Sequence, residues 1–411
     1  MSEIFSIFFN NRSQSFSKYS KANQALLFFK DYTHDLLSGK KAESSVNCIK
    51  DFLKKFDFGK DSGETEVFHL YYELGYIFTG LEQLIDAQEP LLLYISYQHE
   101  EEYQLASRLR PPNLKLVEFP QVENYRTSFR RAMEHLLDGD CYQLNLTYPF
   151  HFAFDSSQDF ESLLANVFHD KSKLGAYAHA TYVDCLNWGI VSNSPECLFQ
   201  SRVENQNIRL WSLPIKGTIE LTDKKYWKEK WKELAGDAKN ESELFIIVDL
   251  LRNDLSKIDG TYSKVIWPKR PLLVPGLLHQ FSLIEVVVGT ATTFLSLMQA
   301  LFPGGSISGA PKNRVLELLK SLEIGPRGIY CGSTVLHKAG RTCASINIRT
   351  AEVNFSQQIL RYGAGGGITL KSQWNDEYLE MLAKVSSFFQ LLPSCEICMK
   401  NVYEKLEKVR Y

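Results

Sequence analysis

Between residues 125 and 138 the apolar side chains Phe129, Ala132, Met133, Leu136 and Leu137 recur at i, i+3, i+4, i+7 and i+8. That is one helical stripe, and Gly139-Asp140 follows as its stop. The period then changes to two. Tyr142, Leu144, Leu146, Tyr148 and Phe150 alternate with Gln143, Asn145, Thr147 and Pro149, which predicts a strand. Gln143, Asn145 and Thr147 share one face of it, three uncharged hydrogen-bonding groups suited to a cleft or to solvent. Residues 241–251 read as a helix from Leu244, Phe245, Val248 and Leu251, and residues 313–321 and a segment from about 376 as two more. Residues 91–97, 330–336, 343–350 and 359–368 read as strands. Consecutive strands across short turns, without regular βαβ alternation, predict an α+β fold of mostly antiparallel sheet.

Residues 286–311 carry no charge, which raises the question of a membrane span. Gly289, Thr290, Thr292, Thr293, Ser296, Gln299 and Pro303 interrupt them, whereas a spanning helix needs about 20 predominantly apolar residues. The stretch reads as a strand, a helix and a loop in a buried core. Ile4 to Phe9 is too short for a signal peptide.

Composition narrows the classes. Lys+Arg is 46 against Asp+Glu 48, so a broad basic face for nucleic acid is not the default. Hydrophobic residues make up 44% and charged ones 23%, which excludes a solvated disordered chain. The length of 411 residues fits one large domain or two to three ordinary ones. Eight cysteines at irregular spacing are too few for a disulfide scaffold and predict reduced thiols in a cytoplasmic protein. The single close pair, Cys395-x-x-Cys398, lacks the second pair a zinc ribbon needs.

Four segments have the makings of chemistry. In Pro214-Ile215-Lys216-Gly217-Thr218 a lysine sits where a strand ends; it is a nucleophile if it sheds its proton and a turn lysine otherwise. In Ser194-Pro195-Glu196 a carboxyl enters an apolar strand, where burial would let it act as a general acid; the plain alternative is a solvated strand-end glutamate. Gly304 to Lys312 is glycine- and serine-rich and leads into a helix, an arrangement that offers backbone N–H groups to an anion. Residues 363–367 form a second run of small residues. Glu377, Glu380 and Lys384 fall on one helical face, either an ordinary solvated face or, with Glu243, an oxygen site suited to Mg²⁺.

Singly these are weak; their order is specific. Gly139-Asp140-Cys141-Tyr142-Gln143-Leu144-Asn145-Leu146 comes first, then Ser194-Pro195-Glu196, the Lys216 segment, and Glu243 ahead of Ile247-Val248-Asp249-Leu250 and Arg252-Asn253-Asp254. His279, the Gly304–Lys312 run, Cys331-Gly332-Ser333, Ile348-Arg349-Thr350, Gly365-Gly366-Gly367-Ile368 and Glu377-Tyr378-Leu379-Glu380 follow. This series resembles the chorismate-utilising enzyme family, which includes anthranilate, isochorismate, salicylate and aminodeoxychorismate synthases. The likeness covers residues 121–392; residues 1–120 correspond to a variable N-terminal part of the same fold, and 393–411 to a C-terminal tail. It implies a single large chorismate-binding domain of antiparallel sheets packed face to face, with helices outside.

Two positions sort the chemistry within that family. Isochorismate and salicylate synthases carry a water-activating lysine where this chain has Gln143, so the resemblance implies ammonia as nucleophile. The anthranilate branch reads PIAGT where this chain reads PIKGT, the form of the branch that aminates C4 of chorismate. The resemblance further implies that Lys216 attacks C2 covalently and that Glu196 protonates the leaving hydroxyl. It implies Mg²⁺ held by Glu243 and Glu380, with Glu377 and Asn240 reached through water. Substrate binding falls to Gln143, Thr218, His279, Ser308, Arg349, Gly365, Gly366 and Lys384. The chain has no G-x-C-x-G elbow for making ammonia from glutamine, Cys331 failing the spacing, so a separate glutamine amidotransferase subunit is implied, with neither nucleic acid nor membrane as a partner. One departure stands beside the site: Leu370-Lys371-Ser372 where the family has small-Asp-Ser. The rival readings are an anthranilate-forming enzyme and a catalytically silent chorismate-binding regulator.

Overall fold

The computed structural model describes residues 3–106, 112–221, 223–258, 261–274, 277–389 and 391–392. Cys395-x-x-Cys398 and the 393–411 tail lie outside them.

The strands form one continuous antiparallel ladder. At one end Gln143–Ala153 pairs with Lys115–Glu118 and with the two-residue bridge Gly309–Ala310. Ile359–Ile368, Thr350–Asn354, Trp188–Ser192, His179–Val183, Ile4–Asn10 and Ser15–Phe28 follow in that order. The ladder continues through Leu92–Tyr103, Thr65–Leu70, Ser333–Lys338, Arg341–Ser345, Cys197–Glu204 and Asn207–Ser212 to Leu277–Gly289. That last strand also pairs with Ile215–Glu220 and Lys264–Val274.

Ser15–Phe28 is the corner. It pairs with Ile4–Asn10 through its first half and with Leu92–Tyr103 along its length, and its register slips between Ala22 and Gln24. Lys21 beside the slip has φ +56°. A bulge increases local twist and bends a strand, which lets one strand serve two sheets. Residues of the first 120 therefore supply inner strands of the ladder: Ile4–Asn10 lies between two others, and Thr65–Leu70 pairs with Ser333–Lys338.

Three apolar clusters hold these layers. Between the two halves lie Ile4, Tyr19, Leu27, Val67, Leu93, Ile95, Val183 and Ile190, all from strands. Outside the first half, the helices Val122–Leu137, Phe160–Phe168, Lys312–Leu322 and Trp374–Phe389 cover Leu144, Leu146, Tyr148, Phe150 and Phe152. Outside the second, Val46–Lys55, Ala238–Leu255 and Phe294–Leu301 cover Phe68, Leu210, Ile284 and Val286. The fold is thus α+β, with antiparallel sheet halves face to face and helices outside. Among the described residues no helix is long and apolar enough to cross a membrane. The uncharged 286–311 stretch ends one strand, forms the Phe294–Leu301 helix and then the one-turn Gly305–Ser308.

Some expectations need correcting. Leu137 is 72% exposed and Tyr142 78%, so neither joins the core. Leu137 is the last residue of its helix, and Tyr142 precedes the strand that starts at Gln143. Phe245 is exposed too, because Leu244, Ile247, Val248 and Leu251 already fill the buried face of Ala238–Leu255. The 343–350 run is two strands, Arg341–Ser345 and Thr350–Asn354; Arg349 between them has φ +52°, which no strand accommodates.

Candidate active site

Lys216 owes its direction to an irregularity. Ile215 faces Phe281 and Thr218 faces His279, so three steps on one strand oppose two on the other. The extra residue makes a bulge, and bulges re-aim side chains. Gly217 takes φ +80°, and a Cβ there would meet Asn240 at 3.1 Å and Gln280 Nε2 at 3.2 Å. Lys216 therefore sits inside a strand, at its bulge, and not at a strand end. Its side chain lines a cavity of about 1020 Å³.

Glu196 lines the same cavity just before Cys197–Glu204. Its N–H donates to Ser194 Oγ at 3.3 Å, and that hydroxyl donates to Ile346 O at 2.6 Å. Burial pushes the Glu196 carboxyl above its ordinary value; the Lys216 charge and the nearby Ser306 hydroxyl pull part of the way back. The carboxyl thus holds its proton to a higher pH than a solvated glutamate, as a general acid must.

The opposite wall comes from Gln143–Ala153 and Ile359–Ile368. Leu144 and Leu146 turn into the core while Gln143 and Asn145 face the cavity. Thr147, on the same face in sequence, does not: its N–H and Oγ1 both donate to Glu323 Oε1, at 2.8 and 2.9 Å. The small-residue run is explained by what lies over it. A Cβ on Gly367 would be 2.6 Å from Gln143 Nε2, and one on Gly366 3.0 Å from Glu377 Oε2.

Above that run, Trp374–Phe389 buries Tyr378, Met381, Leu382, Val385, Phe388 and Phe389 and turns Glu377, Glu380 and Lys384 to the cavity. Lys384 Nζ donates to Gly365 O at 2.8 Å and lies 2.9 Å from Glu380. Ser372 Oγ donates to Glu377 Oε1 at 2.7 Å. Glu243, from Ala238–Leu255, and Arg349 add to the charged lining.

Gln143, Glu196, Lys216, Glu243, Arg349, Gly365, Glu377, Glu380 and Lys384 are thus gathered round one cavity. Thr218, His279, Ser308 and Gly366 are set back from its lining. His279 Nδ1 and Thr218 Oγ1 are 2.7 Å apart. Burial and the nearby Arg349 charge lower the His279 pKa, which favours a neutral imidazole. Ser308 is fully buried and accepts from the Tyr72 hydroxyl at 3.3 Å. Ser306, Tyr330, Tyr362, Lys371 and Asp376 also line the cavity. Of these only Ser306 lay in a segment whose glycine content pointed to ligand contact, and there the backbone drew the attention.

The carboxylates suit Mg²⁺, which binds through one or two of them plus water and substrate oxygens. Among the described residues no three His, Cys, Asp or Glu side chains are grouped closely enough to hold a metal by themselves; Glu243, Glu377 and Glu380 share the cavity lining, and one or two of them could serve together with water and substrate oxygens. Cys331 is buried and its thiol pushed up to about 11, the reverse of an activated nucleophile.

Comparison with known proteins identifies the family. Residues 19–390 match a family described as chorismate binding enzyme. Aminodeoxychorismate synthase component 1 of Salmonella typhimurium is 32% identical over 317 residues, 74% of this chain and 66% of that protein. Its counterpart in Escherichia coli is 33% identical over 279 residues, 66% of this chain and 58% of that protein. The chain thus spans less than two thirds of the length of either relative. In fold it is similar to anthranilate synthase component I from Streptococcus pneumoniae, with TM-score 0.72 at 19% identity over 93% of this chain and 92% of that one.

Proposed function

Since this chain belongs to the chorismate binding enzyme family, we propose that it converts chorismate and ammonia to 4-amino-4-deoxychorismate, as aminodeoxychorismate synthase component 1 does. The observation that carries the reading is the convergence of Lys216 and Glu196 on one cavity, with burial favouring the protonated carboxyl.

In this reading Lys216, as the free amine, bonds to C2 of chorismate. The ring double bond shifts, and the C4 hydroxyl leaves as water with the proton of Glu196. Ammonia then bonds to C4, the double bond returns, and the C2–N bond to Lys216 breaks. Glu196 takes up the proton released by the incoming nitrogen. Two easier displacements replace one difficult one. Gln143 suits this chemistry because an amide cannot serve as a base for water. Arg349 and Lys384 would hold substrate carboxylates, Arg349 in bidentate fashion. Gly365 and Gly366 would let the substrate approach the backbone, while Thr218, His279 and Ser308 would support these groups from behind. Glu243 and Glu380, with Glu377 through water, would hold Mg²⁺, whose charge would offset that of a ring carboxylate. A separate glutamine amidotransferase would supply the ammonia, a role for which the buried Cys331 is unsuited.

The test is loss of chorismate on addition of ammonium and Mg²⁺. Wild type should consume it, and Glu380→Gln should abolish the Mg²⁺-dependent turnover; unchanged Mg²⁺ dependence would place the metal elsewhere. No ammonium-dependent consumption by wild type, with chorismate still bound, would favour the silent regulator.

A further inference from the structure

Arg327 lies outside the cavity, yet two of its walls hang on it. Its guanidinium is buried and grips Glu323 bidentately, Nε to Oε2 at 2.9 Å and Nη2 to Oε1 at 2.7 Å. The remaining donors go to backbone: Nη2 to Asn145 O at 2.6 Å and Nη1 to Ile307 O at 2.7 Å. Asn145 and Ile307 both line the cavity, from different elements. The guanidinium also lies 4.3 Å over the Tyr72 ring, and the Arg327 and Gly328 N–H groups donate to the buried Glu73 at 2.7 and 3.1 Å. Glu323 passes the constraint on, since it accepts both bonds from Thr147. One planar fork thus fixes the Gln143–Ala153 strand, the Gly305–Ser308 turn and a segment from the first 120 residues.

The Gly305–Ser308 turn leads to the chemistry. Ser306, the residue before Ile307, lines the cavity together with Glu196, and its hydroxyl is near enough to favour the ionised carboxyl. We propose that Arg327 is a positioning residue for the reaction: it sets the Ile307 and Asn145 carbonyls, and through Ile307 the Ser306 hydroxyl that orients Glu196. No other side chain combines these roles, because only guanidinium presents five donors in a rigid plane. Lysine would keep the charge and lose the simultaneous hold on Glu323 and two carbonyls.

The kinetic part of this inference rests on the proposed function. Arg327→Lys is expected to lower kcat on the order of 10²-fold, the scale of a small misplacement of reacting groups, with a much smaller change in the KM for chorismate. The alkaline limb of kcat should move to higher pH, because the Ser306 hydroxyl that favours ionised Glu196 is displaced. Ser306→Ala should move the limb the same way while leaving the buried network intact. The double variant should shift it no further than either change alone. The protonation of Glu196 is also read without turnover, from its carboxylic C=O infrared band, assigned with Glu196→Gln. That separates failure of this inference from failure of the chorismate reading. A folded Arg327→Lys enzyme with wild-type kcat and an unmoved limb overturns the proposal. Should Arg327→Lys not fold, Ser306→Ala with an unmoved Glu196 band overturns it.

Discussion

Two lysines in this chain are both partly removed from water and end up in opposite conditions. Lys312 is 9% exposed, and its Nζ lies 3.0 Å from Asp254 and donates to the carbonyls of Ala300 and Leu301 at 3.1 and 3.3 Å. Asp254 is held from its other side by Lys257 at 2.7 Å. Burial lowers the Lys312 pKa and the Asp254 charge opposes it. That ammonium is engaged inside the protein by a carboxylate and two carbonyls, so Lys312 holds the Gly304–Lys312 turn against the Ala238–Leu255 helix. Lys216 sits on a bulge at the cavity surface, with Glu196 across from it. Its charge lowers the Glu196 pKa, and among the described residues its Nζ has no hydrogen bond that would tie it down. The difference lies in burial and in satisfaction, not in residue type. A lysine whose donors are spent is structural, whereas one that faces a cavity untied can reach a substrate and becomes a nucleophile once it sheds its proton.

That contrast breaks most sharply under substitution. Lys216→Ala should abolish turnover, a loss of at least about 10⁴-fold for a residue that forms the covalent intermediate, with an unchanged denaturation midpoint. Intact-protein mass spectrometry should find a chorismate-derived adduct on wild type and none on the variant. Lys312→Ala should do the reverse. It leaves a buried carboxylate short of a partner and should cost about 3–5 kcal/mol of stability in chemical denaturation. Lys312→Met with Asp254→Leu should recover most of it. Glu196→Gln should lower kcat about 10²–10³-fold. Because the Glu196 pKa is raised, wild-type activity should extend above the ordinary carboxyl range and fall as pH rises through that pKa, and the variant should lose this limb. The smallest effect is expected of Thr218→Val, which removes one hydrogen bond to His279, about 0.5–1.5 kcal/mol, read as a modest rise in the KM for chorismate.

Much of this was legible in the chain, and the misses share a cause. Periodicity located the 359–368 strand to the residue and placed Glu377, Glu380 and Lys384 on one face, because backbone geometry repeats locally. The order of motifs brought out Gln143, Glu196, Lys216, Glu243, Arg349, Gly365, Glu377, Glu380 and Lys384 of the cavity lining, but also Thr218, His279, Ser308 and Gly366, which are set back from it. Tyr142 and Phe245 misled because a periodic apolar residue is core only if something covers it, and coverage is tertiary. Thr147 has the same period as Gln143 and Asn145, and Glu323 takes it out of the cavity. The bulge that aims Lys216 depends on register with a strand more than sixty residues away. Arg327 gave no signal: Glu323 is four residues before it, but Gly325-Pro326 intervenes and no helical pairing rule applies.

The central claim is amination of chorismate at C4 with the enolpyruvyl side chain kept. Purified protein incubated with chorismate, ammonium and Mg²⁺, with products identified by chromatography and mass spectrometry, tests it directly. The account predicts 4-amino-4-deoxychorismate, which yields p-aminobenzoate and pyruvate only after a lyase is added. Fluorescent anthranilate and pyruvate formed without any lyase would contradict it.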